Sequence, residues 1–373
     1  QGLVENVQIL SSNLVQNGDF SEEGVQEVSN GSFSQEGVEL LSQPVNLVND
    51  FVKNGGGVIV DADTFETFGG SLDGIKKSFL TVGKSYKLVI EGDTTSSGFT
   101  IGSLGNSGNE YGSGFGTHYF ECINSGLWIR QNTSGTTNIT SFSIVEVGQD
   151  WTLGTGWSVG EDKAVFDGVS NANLTQSNIL TNGKQYKLTY QILENTTTSG
   201  YIRLGAETAT EITQLDGAVG THEMYFLNDG YTTSFVIRTN SLTGGDFSIT
   251  NISVKEVGQN WSLIGTATIT ENQANIVTAS AVTGISQTNI LTIGKSYKLT
   301  YNIVSNNNGG LKISGNEIPS VVGNNTYYFT ASAASLEILR NSGITDISIT
   351  NISIIEITTD TSLPRINYEG FSY

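Results

Sequence analysis

The chain has 373 residues, enough for two to four domains with separate cores. Its formal net charge of −19 argues against a nucleic-acid partner, because phosphates are bound by clustered Lys and Arg, and no run of 18 apolar residues is present to cross a membrane. Because Cys122 is the single cysteine, an intrachain disulfide is excluded, and stability has to come from apolar cores, metal ions or assembly.

The first 45 residues form a segment that differs from the rest. Two related phrases, Asn17-Gly18-Asp19-Phe20-Ser21 and Asn30-Gly31-Ser32-Phe33-Ser34, are each followed by Glu and Gly. Asn-Gly is a turn signal that leads into a short strand. We predict that residues 1–45 are either strands that lead into the first domain or a segment that docks on another subunit.

A short motif, Gly-Lys-x-Tyr-Lys-Leu, begins at Gly83, at Gly183 and again at Gly294. Apolar and polar residues alternate through each copy, which indicates a half-buried β-strand rather than a helix. Three copies of one strand at domain-sized spacing predict three copies of one domain. The predicted units are repeat 1 at 46–149, repeat 2 at 150–259, repeat 3 at 260–360 and an extended tail at 361–373.

The repeats are joined closely and share an irregular last strand. Phe51, Trp151 and Trp261 open the three repeats, and the phrase Glu-Val-Gly-Gln precedes both tryptophans. Linkers of about three residues favour a stiff string of domains. In each closing strand the alternation slips by one residue at a Thr-Ser or Thr-Asn pair, which predicts a β-bulge.

Each repeat contains roughly seven to nine short strands in about 100 residues, the size and texture of an antiparallel β-sandwich. The chain is therefore predicted to be all-β. A strand with an arginine also recurs, with Arg130, Arg238 and Arg340 as the matching residues. The recurrence favours a structural ion pair or a contact between repeats over a ligand role.

Catalytic patterns are weak. His118 and His222 occupy matching positions, but repeat 3 has no histidine there, and no nucleophile lies at a suitable spacing. Cys122 is expected to be a small core residue rather than a nucleophile. The carboxylates are scattered and form no recognisable acid–base pair, so we predict a protein that is not an enzyme.

Asp61, Asp63 and Glu66 form the densest carboxylate cluster. Hard oxygen ligands suit Ca²⁺, so these residues are the candidate site for a structural calcium ion. The alternative is a solvated acidic turn. No Cys/His spacing supports a zinc site.

Unrepeated aromatic residues are the candidates for ligand contact. Trp128 and Trp157 have no aromatic counterparts in the other repeats, and Trp128 shares a strand face with Arg130. An exposed Trp beside an Arg could stack on a sugar or contact a partner. The alternative is a tryptophan that covers a sheet edge or a domain junction.

Several phrases together resemble a known family. They are Asn-Gly-Asp-Phe-Ser, the strand from Trp151 to Trp157, the Gly-Lys-x-Tyr-Lys-Leu motif and a closing Phe-Ser-Ile-Thr-Asn-Ile-Ser-Val-Lys-Glu-Val. This combination looks like a jelly roll of the carbohydrate-binding-module type, in the family 4/9-like group. The resemblance covers residues 46–360 three times, and 13–45 more loosely. The junctions, together with the phrase Leu363-Pro364-Arg365-Ile366, resemble tandem modules of tail-fibre and other virion structural proteins of bacteriophages, particularly those of Bacteroidota hosts.

The resemblance implies three tandem antiparallel jelly-roll β-sandwich domains. It also implies calcium in some members, near the first strand and an Asp of the closing strand, where this chain has Ser141, Asn251 and Asn351 instead. Sugar binding in the family uses aromatic residues of the concave sheet, for which Trp128 and Tyr201 are the candidates here.

The sequence thus suggests a non-enzymatic virion structural protein, such as a phage fibre or appendage, at the virion surface or in the extracellular space. The expected partners are further copies in a homo-oligomer, for which a stable trimer would favour a fibre, other virion proteins and a host cell-surface glycan. The alternative is a secreted bacterial carbohydrate-binding or adhesin protein. No signal peptide is visible, and because the chain begins at Gln1, a targeting segment could have been removed.

Overall fold

The computed structural model describes residues 8–70, 73–103, 110–167, 171–205, 211–230 and 232–358. The predicted tail at 361–373 lies outside the described residues. The regular secondary structure of the described chain is almost entirely strand, and it forms three tandem antiparallel jelly-roll β-sandwich domains preceded by an extended segment. No helix in the described residues is long and apolar enough to cross a membrane.

The N-terminal segment contributes two short strands, and the first domain follows after one helical turn. The segment contains β1 (Glu23–Gln26) and β2 (Glu36–Glu39), followed by α1 (Leu47–Asp50). Domain 1 contains β3 (Val52–Asn54), β4 (Val58–Ile59), β5 (Thr64–Thr67), β6 (Gly74–Ser78), β7 (Ser85–Thr94), β8 (Phe99–Ser103), β9 (Glu110–Ser113), β10 (Gly116–Glu121), β11 (Gly126–Gln131) and β12 (Gly135–Val147).

Domains 2 and 3 repeat the same order of strands. Domain 2 contains β13 (Thr152–Leu153), β14 (Trp157–Gly160), β15 (Lys163–Phe166), β16 (Asn173–Gln176), β17 (Lys184–Asn195), β18 (Ser199–Gly205), β19 (Glu211–Gln214), β20 (Gly220–Asn228), β21 (Phe235–Thr243) and β22 (Phe247–Val257). Domain 3 contains β23 (Ser262–Ile264), β24 (Thr268–Thr270), β25 (Gln273–Thr278), β26 (Gly284–Gln287), β27 (Ser296–Asn308), β28 (Leu311–Ile313), β29 (Asn316–Ile318), β30 (Gly323–Thr330), β31 (Leu336–Arg340) and β32 (Thr345–Ile357).

Each domain packs two antiparallel sheets face to face. In domain 2 one sheet has the order β13-β16-β21-β18-β19, and the other has the order β14-β15-β22-β17-β20, with β1 of the N-terminal segment also paired to β22. Domains 1 and 3 have the same two orders with their own strands. Alternation along the repeated motif gives the apolar core, in which Tyr86, Tyr186 and Tyr297 are buried. Each of these tyrosine hydroxyls accepts a hydrogen bond from the backbone N–H five residues upstream.

The predicted bulge in the closing strand is confirmed in all three domains. The pairing of the closing strand with β7, β17 or β27 shifts register at the Thr-Ser or Thr-Asn position. Asn251 and Asn351 there adopt φ values of 51° and 52°. Before the bulge β22 pairs with β15, and after it the same edge of β22 is free to pair with β1. The bulge therefore divides one strand edge between two partners.

The prediction of three matching arginines is wrong for the third one. Ile338 lies in the domain 3 core as Ile129 and Ile237 do in theirs, so Leu339 is the residue that corresponds to Arg130 and Arg238. Arg340 lies one residue further along and binds the carbonyl groups of Gly343 and Ser280. The sequence alternation in this short strand allowed two alignments that differ by one residue, and the packing of Ile338 in the core selects one of them.

The two domain junctions have the same geometry. Gly148 and Gly258 have φ values of 71° and 72°, and Asp150 and Asn260 both have 71°. A Cβ at Gly148 would lie 3.0 Å from the side chain of Val159, and one at Gly258 would lie 2.1 Å from that of Ile269. At each junction an aliphatic side chain of the following domain thus packs against the backbone of the glycine.

One residue makes the second junction tighter than the first. The Gln185 amide donates to the carbonyl of Ile269 at 2.6 Å and accepts from its N–H at 2.8 Å, and both groups are buried. The matching residue of domain 1 is Ser85, whose Oγ is buried and has no hydrogen-bond partner in the described part of the chain. Because Ser is too short to reach the next domain, the first junction lacks these two bonds.

Candidate functional site

The N-terminal segment runs along all three domains, in the reverse of their order in the chain. Residues 8–21 lie on domain 3, residues 22–34 on domain 2 and residues 35–45 on domain 1; we call them units 1, 2 and 3 of the strap. The sequence prediction of strands that lead into the first domain fits β2 alone, because β1 pairs with domain 2 and Ile9 pairs with domain 3. Docking of this segment on another subunit stays a prediction. The strap extends the closing-strand edge that each bulge leaves free.

Unit 1 is held on domain 3 by backbone pairing and one aromatic anchor. Ile9 forms a bridge with Ile357, and the Asn13 Oδ1 accepts a hydrogen bond from the Ile354 N–H at 3.0 Å. The Asn17 carbonyl accepts the indole N–H of Trp261 at 2.9 Å, and Phe20 packs on the same indole with ring centroids 5.3 Å apart. Phe20 is buried, so unit 1 completes the core of domain 3.

Unit 2 repeats these contacts on domain 2. The Gln26 Oε1 accepts from the Val254 N–H at 3.0 Å, and the Asn30 carbonyl accepts the Trp151 indole N–H at 3.0 Å. Phe33 lies 5.1 Å from the Trp151 ring and is buried in the domain 2 core. The same local backbone is used twice, since Asn17 and Asn30 share a φ of 46°, and Phe20 and Phe33 share a φ of 56°.

Unit 3 follows the pattern at first and then departs from it. The Glu39 carboxylate accepts from the Ile144 N–H at 2.9 Å, as Asn13 and Gln26 do on their own domains. Beyond it the chain passes a cis Gln43–Pro44 bond and enters α1, whose Leu47 is buried in the core. Phe51 takes the place of Trp151 and has no N–H to offer, so the indole hydrogen bond has no equivalent on domain 1.

Charge pairs add to the docking of units 2 and 3. The Glu23 carboxylate lies 3.0 Å from the Lys187 amine and 2.9 Å from that of Lys255, and hydrogen bonds from Lys255 and Lys187 hold its pKa below the ordinary value. Glu36 pairs with Lys87 at 2.5 Å, and this hydrogen bond raises the lysine pKa. All of these groups are partly exposed, so each pair is worth at most about 1 kcal/mol.

Sequence reasoning recognised the two Asn-Gly phrases but missed the residues that give the strap its register. Asn13, Gln26 and Glu39 lie at a spacing of 13 residues (26 − 13 and 39 − 26), each with a side-chain oxygen facing one closing strand. The buried residues Val15, Val28 and Leu41 share that spacing. A repeat of 13 residues within positions 8–45 is the sequence signal that could have revealed these residues.

Trp128 is covered, unlike the exposed tryptophan that the ligand hypothesis requires. Leu127 and Ile129 point into the domain 1 core, so Trp128 lies on the outer face of the sheet, yet it is only 5% exposed. The Arg130 guanidinium lies 4.9 Å from its ring centroid and occupies the stacking position that a sugar would need. Its indole nitrogen has no hydrogen-bond partner in the described part of the chain.

Trp157 and Tyr201 lie in domain 2, on different sheets. Trp157 is 2% exposed and packs in the core with ring centroids 5.2 Å from Phe166 and 6.1 Å from Phe247, so the prediction that it contacts a ligand is wrong. Tyr201 is half-buried in β18, opposite Asn240 of β21. The four predicted ligand residues are therefore not gathered into one site.

The three carboxylates proposed for calcium point to different partners. Asp61 is exposed, and its Oδ1 accepts the Asp63 N–H at 3.2 Å, which lowers the Asp61 pKa. Asp63 accepts the Thr64 hydroxyl at 2.9 Å, whereas Glu66 extends from β5 to the Thr136 hydroxyl at 3.3 Å. In the described residues no group of three or more His, Cys, Asp or Glu side chains is placed to hold a metal ion. The acidic-turn alternative describes Asp61 and Asp63 better.

The histidines and the cysteine have structural surroundings. The Nε2 atoms of His118 and His222 are hydrogen-bonded to the carbonyls of Gly114 and Ala218, four residues upstream. In domain 3 the Asn325 amide makes the same contact with Val321. Cys122 is fully buried, and burial raises the pKa of its thiol, which makes it a poor nucleophile.

No family model and no curated protein sequence matches the chain. Among solved structures, it is similar to the N-terminal CBM22-1–CBM22-2 tandem domain of Xyn10C from Paenibacillus barcinonensis, over 60% of this chain and 99% of that one, with 9% identity and a TM-score of 0.25. It is also similar to a structure of the triple jelly roll fold and turret assembly in an archaeal virus, over 83% and 89%, with 14% identity and a TM-score of 0.21. Likenesses this weak do not indicate what this chain binds.

Proposed function

We propose that this chain is a non-enzymatic structural protein, a stiff three-domain spacer that displays or connects domains on the outside of a virion, as in a bacteriophage fibre or appendage. The observation that supports the proposal is the strap. One continuous segment adds an edge strand to domains 1 and 2, pairs with the closing strand of domain 3 through a β-bridge, and places a phenylalanine in two of the three cores. A segment that spans two junctions opposes their bending.

The sequence features agree with this proposal. The junction phrases resemble those of phage fibre modules, and the net charge of −19 suits a soluble surface protein. The strap contacts all three domains, which suits a spacer because it fixes their order and spacing.

The direct test is the protein content of purified particles. We expect peptides of this chain in the mass spectrum of the virions, and we expect gold-labelled antibody to mark an external fibre rather than the capsid interior. Recovery of the chain only from the culture medium of uninfected bacteria would overturn the proposal and favour the secreted adhesin.

A solution measurement tests the spacer role separately. Small-angle scattering of the full chain should give a single elongated particle. The double variant Phe20→Ala/Phe33→Ala should give a broader distribution of lengths, since units 1 and 2 lose their anchors. A matched control, Val25→Ala/Val38→Ala, changes two residues of the strap that are 77% and 81% exposed and should leave the curve unchanged.

Attachment to a host glycan is the second candidate, and the half-buried Tyr201 on an outer sheet face supports it. A glycan array should then show binding that Tyr201→Ala abolishes. The buried Trp157 supplies no such surface, so Trp157→Phe should leave any glycan binding intact. An array with no binding would restrict the chain to the spacer role.

A further inference from the structure

Domain 3 exposes a tyrosine that its two counterparts bury against the next domain. Tyr119, Tyr225 and Tyr328 each lie opposite the second lysine of the Gly-Lys-x-Tyr-Lys-Leu motif. Tyr119 packs on the core of domain 2 and Tyr225 packs on the core of domain 3, so both are half-buried. Tyr328 is 56% exposed, because no described domain follows domain 3.

The strap adds an apolar residue to the same surface. Ile9 lies opposite the end of β32, as Glu23 and Glu36 lie opposite the ends of β22 and β12. The two glutamates pair with the motif lysines of domains 2 and 1, whereas Ile9 is 66% exposed and gives Lys298 no carboxylate. Strand pairing places Ile9, Lys298 and Tyr328 on one face of the sheet, and we call these three residues the end patch.

Domain 2 shows which chemistry covers the matching surface of domain 1. A Cβ at Gly160 would lie 3.0 Å from the ring of Tyr119, so the turn between β14 and β15 packs directly on the tyrosine. The Glu36 hydrogen bond and, to a lesser degree, the charge of Asp162 in that turn raise the pKa of Lys87. An occupant of the end patch therefore needs apolar groups for the tyrosine and a carboxylate near the lysine.

The segment that follows β32 starts beside the end patch. Thr358 ends the described chain there, and β30, which carries Tyr328, is two strands away, a distance of about 10 Å. Five residues of extended chain span up to about 17 Å, so Leu363 is close enough in sequence to reach the tyrosine. Residues 359–373 contain both kinds of group that the patch requires. The apolar ones are Leu363, Ile366, Tyr368 and Phe371, and the carboxylates are Asp360 and Glu369.

Other occupants fit the end patch less well. Thr358 stands where the junctions have Gly148 and Gly258, whose backbones contact an aliphatic side chain of the next domain. The Thr358 side chain takes up that position, so a further domain could not dock in the same way. A second copy would bring a second net charge of −19 to the contact.

We propose that residues 359–373 dock on the end patch, with apolar side chains on Tyr328 and Ile9 and a carboxylate beside Lys298. The segment then does for domain 3 what the next domain does for domains 1 and 2. Its tether keeps it at a high effective concentration, so even modest contacts hold it in place. This role is separate from the proposed spacer function, because it concerns the end of the string rather than its junctions.

Trypsin digestion of the full chain tests the docking, because Arg365 lies within the segment. Cleavage after Arg365 requires the segment to leave the patch, so we expect Tyr328→Ser to speed this cut about tenfold. Since Tyr328 is 56% exposed, the substitution leaves domain 3 folded. Val322→Ser is the matched control: Val322 is 60% exposed in the same domain, and its replacement should leave the rate of the cut unchanged.

Hydroxyl-radical labelling gives a second readout at the patch itself. Tyr328 should be labelled as slowly as Tyr119 and Tyr225 in the parent chain, and several-fold faster in Leu363→Ser/Ile366→Ser. Equal cutting of the parent and Tyr328→Ser, or fast labelling of Tyr328 in the parent, overturns the proposal. Protection that appears only as the protein concentration rises assigns the patch to a second copy and overturns the proposal as well.

Discussion

Replacing Phe33 by alanine is the sharpest test of the strap as a structural element. Phe33 is 2% exposed, its ring lies 5.1 Å from that of Trp151, and it belongs to the core of domain 2 although it lies more than 100 residues upstream. Phe→Ala changes in a core cost about 3–5 kcal/mol. Because unit 2 can detach as a whole, the loss in the free energy of unfolding cannot exceed the free energy with which unit 2 docks. We therefore expect a loss of about 3 kcal/mol.

Hydrogen exchange locates the effect, and urea unfolding measures it. The Ile252 N–H donates to the Gly31 carbonyl at 2.9 Å, and the Val254 N–H donates to the Gln26 side chain. Both amides should lose protection in Phe33→Ala, while the Ile352 N–H, which unit 1 covers on domain 3, should keep it. The control Val38→Ala should stay within about 0.5 kcal/mol of the parent. A loss below about 1 kcal/mol with Ile252 still protected would refute the reasoning.

Three further predictions concern a junction, a charge pair and a buried hydroxyl. Gly258→Ala should lower the free energy of unfolding by about 1–2 kcal/mol because of the φ of 72°, and by more because of the contact with Ile269. Gly83 has a φ of 81° and open space around it, so thermal unfolding of Gly83→Ala measures the backbone cost alone. The Glu23 pKa is lowered in the folded state, so the stability that the Glu23 carboxylate contributes is present above the unfolded pKa near 4.5 and is lost as the pH falls. Glu23→Gln should remove this acid-dependent part of strap docking, as measured by hydrogen exchange across pH 3 to 6. Identical exchange profiles for the variant and the parent would contradict the ion pair. Burial raises the Tyr190 pKa to about 12, so stability that is complete below about pH 10 should fall as the pH rises toward 12, and Tyr190→Phe should flatten that part of the alkaline unfolding curve.

The sequence predicted the features of the fold that depend on local pattern. Alternation in the strand that contains Tyr186 gave its inward face, and the slip at Asn251 gave the bulge, because both follow from the two-residue period of a strand. The assignment of Arg340 failed for the same reason, since one residue of register is free until the core packs. The lack of repetition at Trp128 and Trp157 left both an exposed ligand contact and a structural position open, and only the packing shows that both side chains are buried. A large side chain can fill a gap that only one domain has.

The strap could not be predicted in this way because its partners are distant in the chain. Nothing in the sequence around Gln26 indicates that this residue contacts Val254, more than 200 residues downstream. The reversed order of the units follows from the arrangement of the three domains, which the local sequence does not contain. The reversal also has a consequence for folding. Unit 1 is made first, but it docks on β32, which is made last, so the long-range pairing that spans both junctions forms only after domain 3 exists. Units 2 and 3 can dock as soon as domains 2 and 1 exist, so the edge of β32 in domain 3 is the last one to be covered.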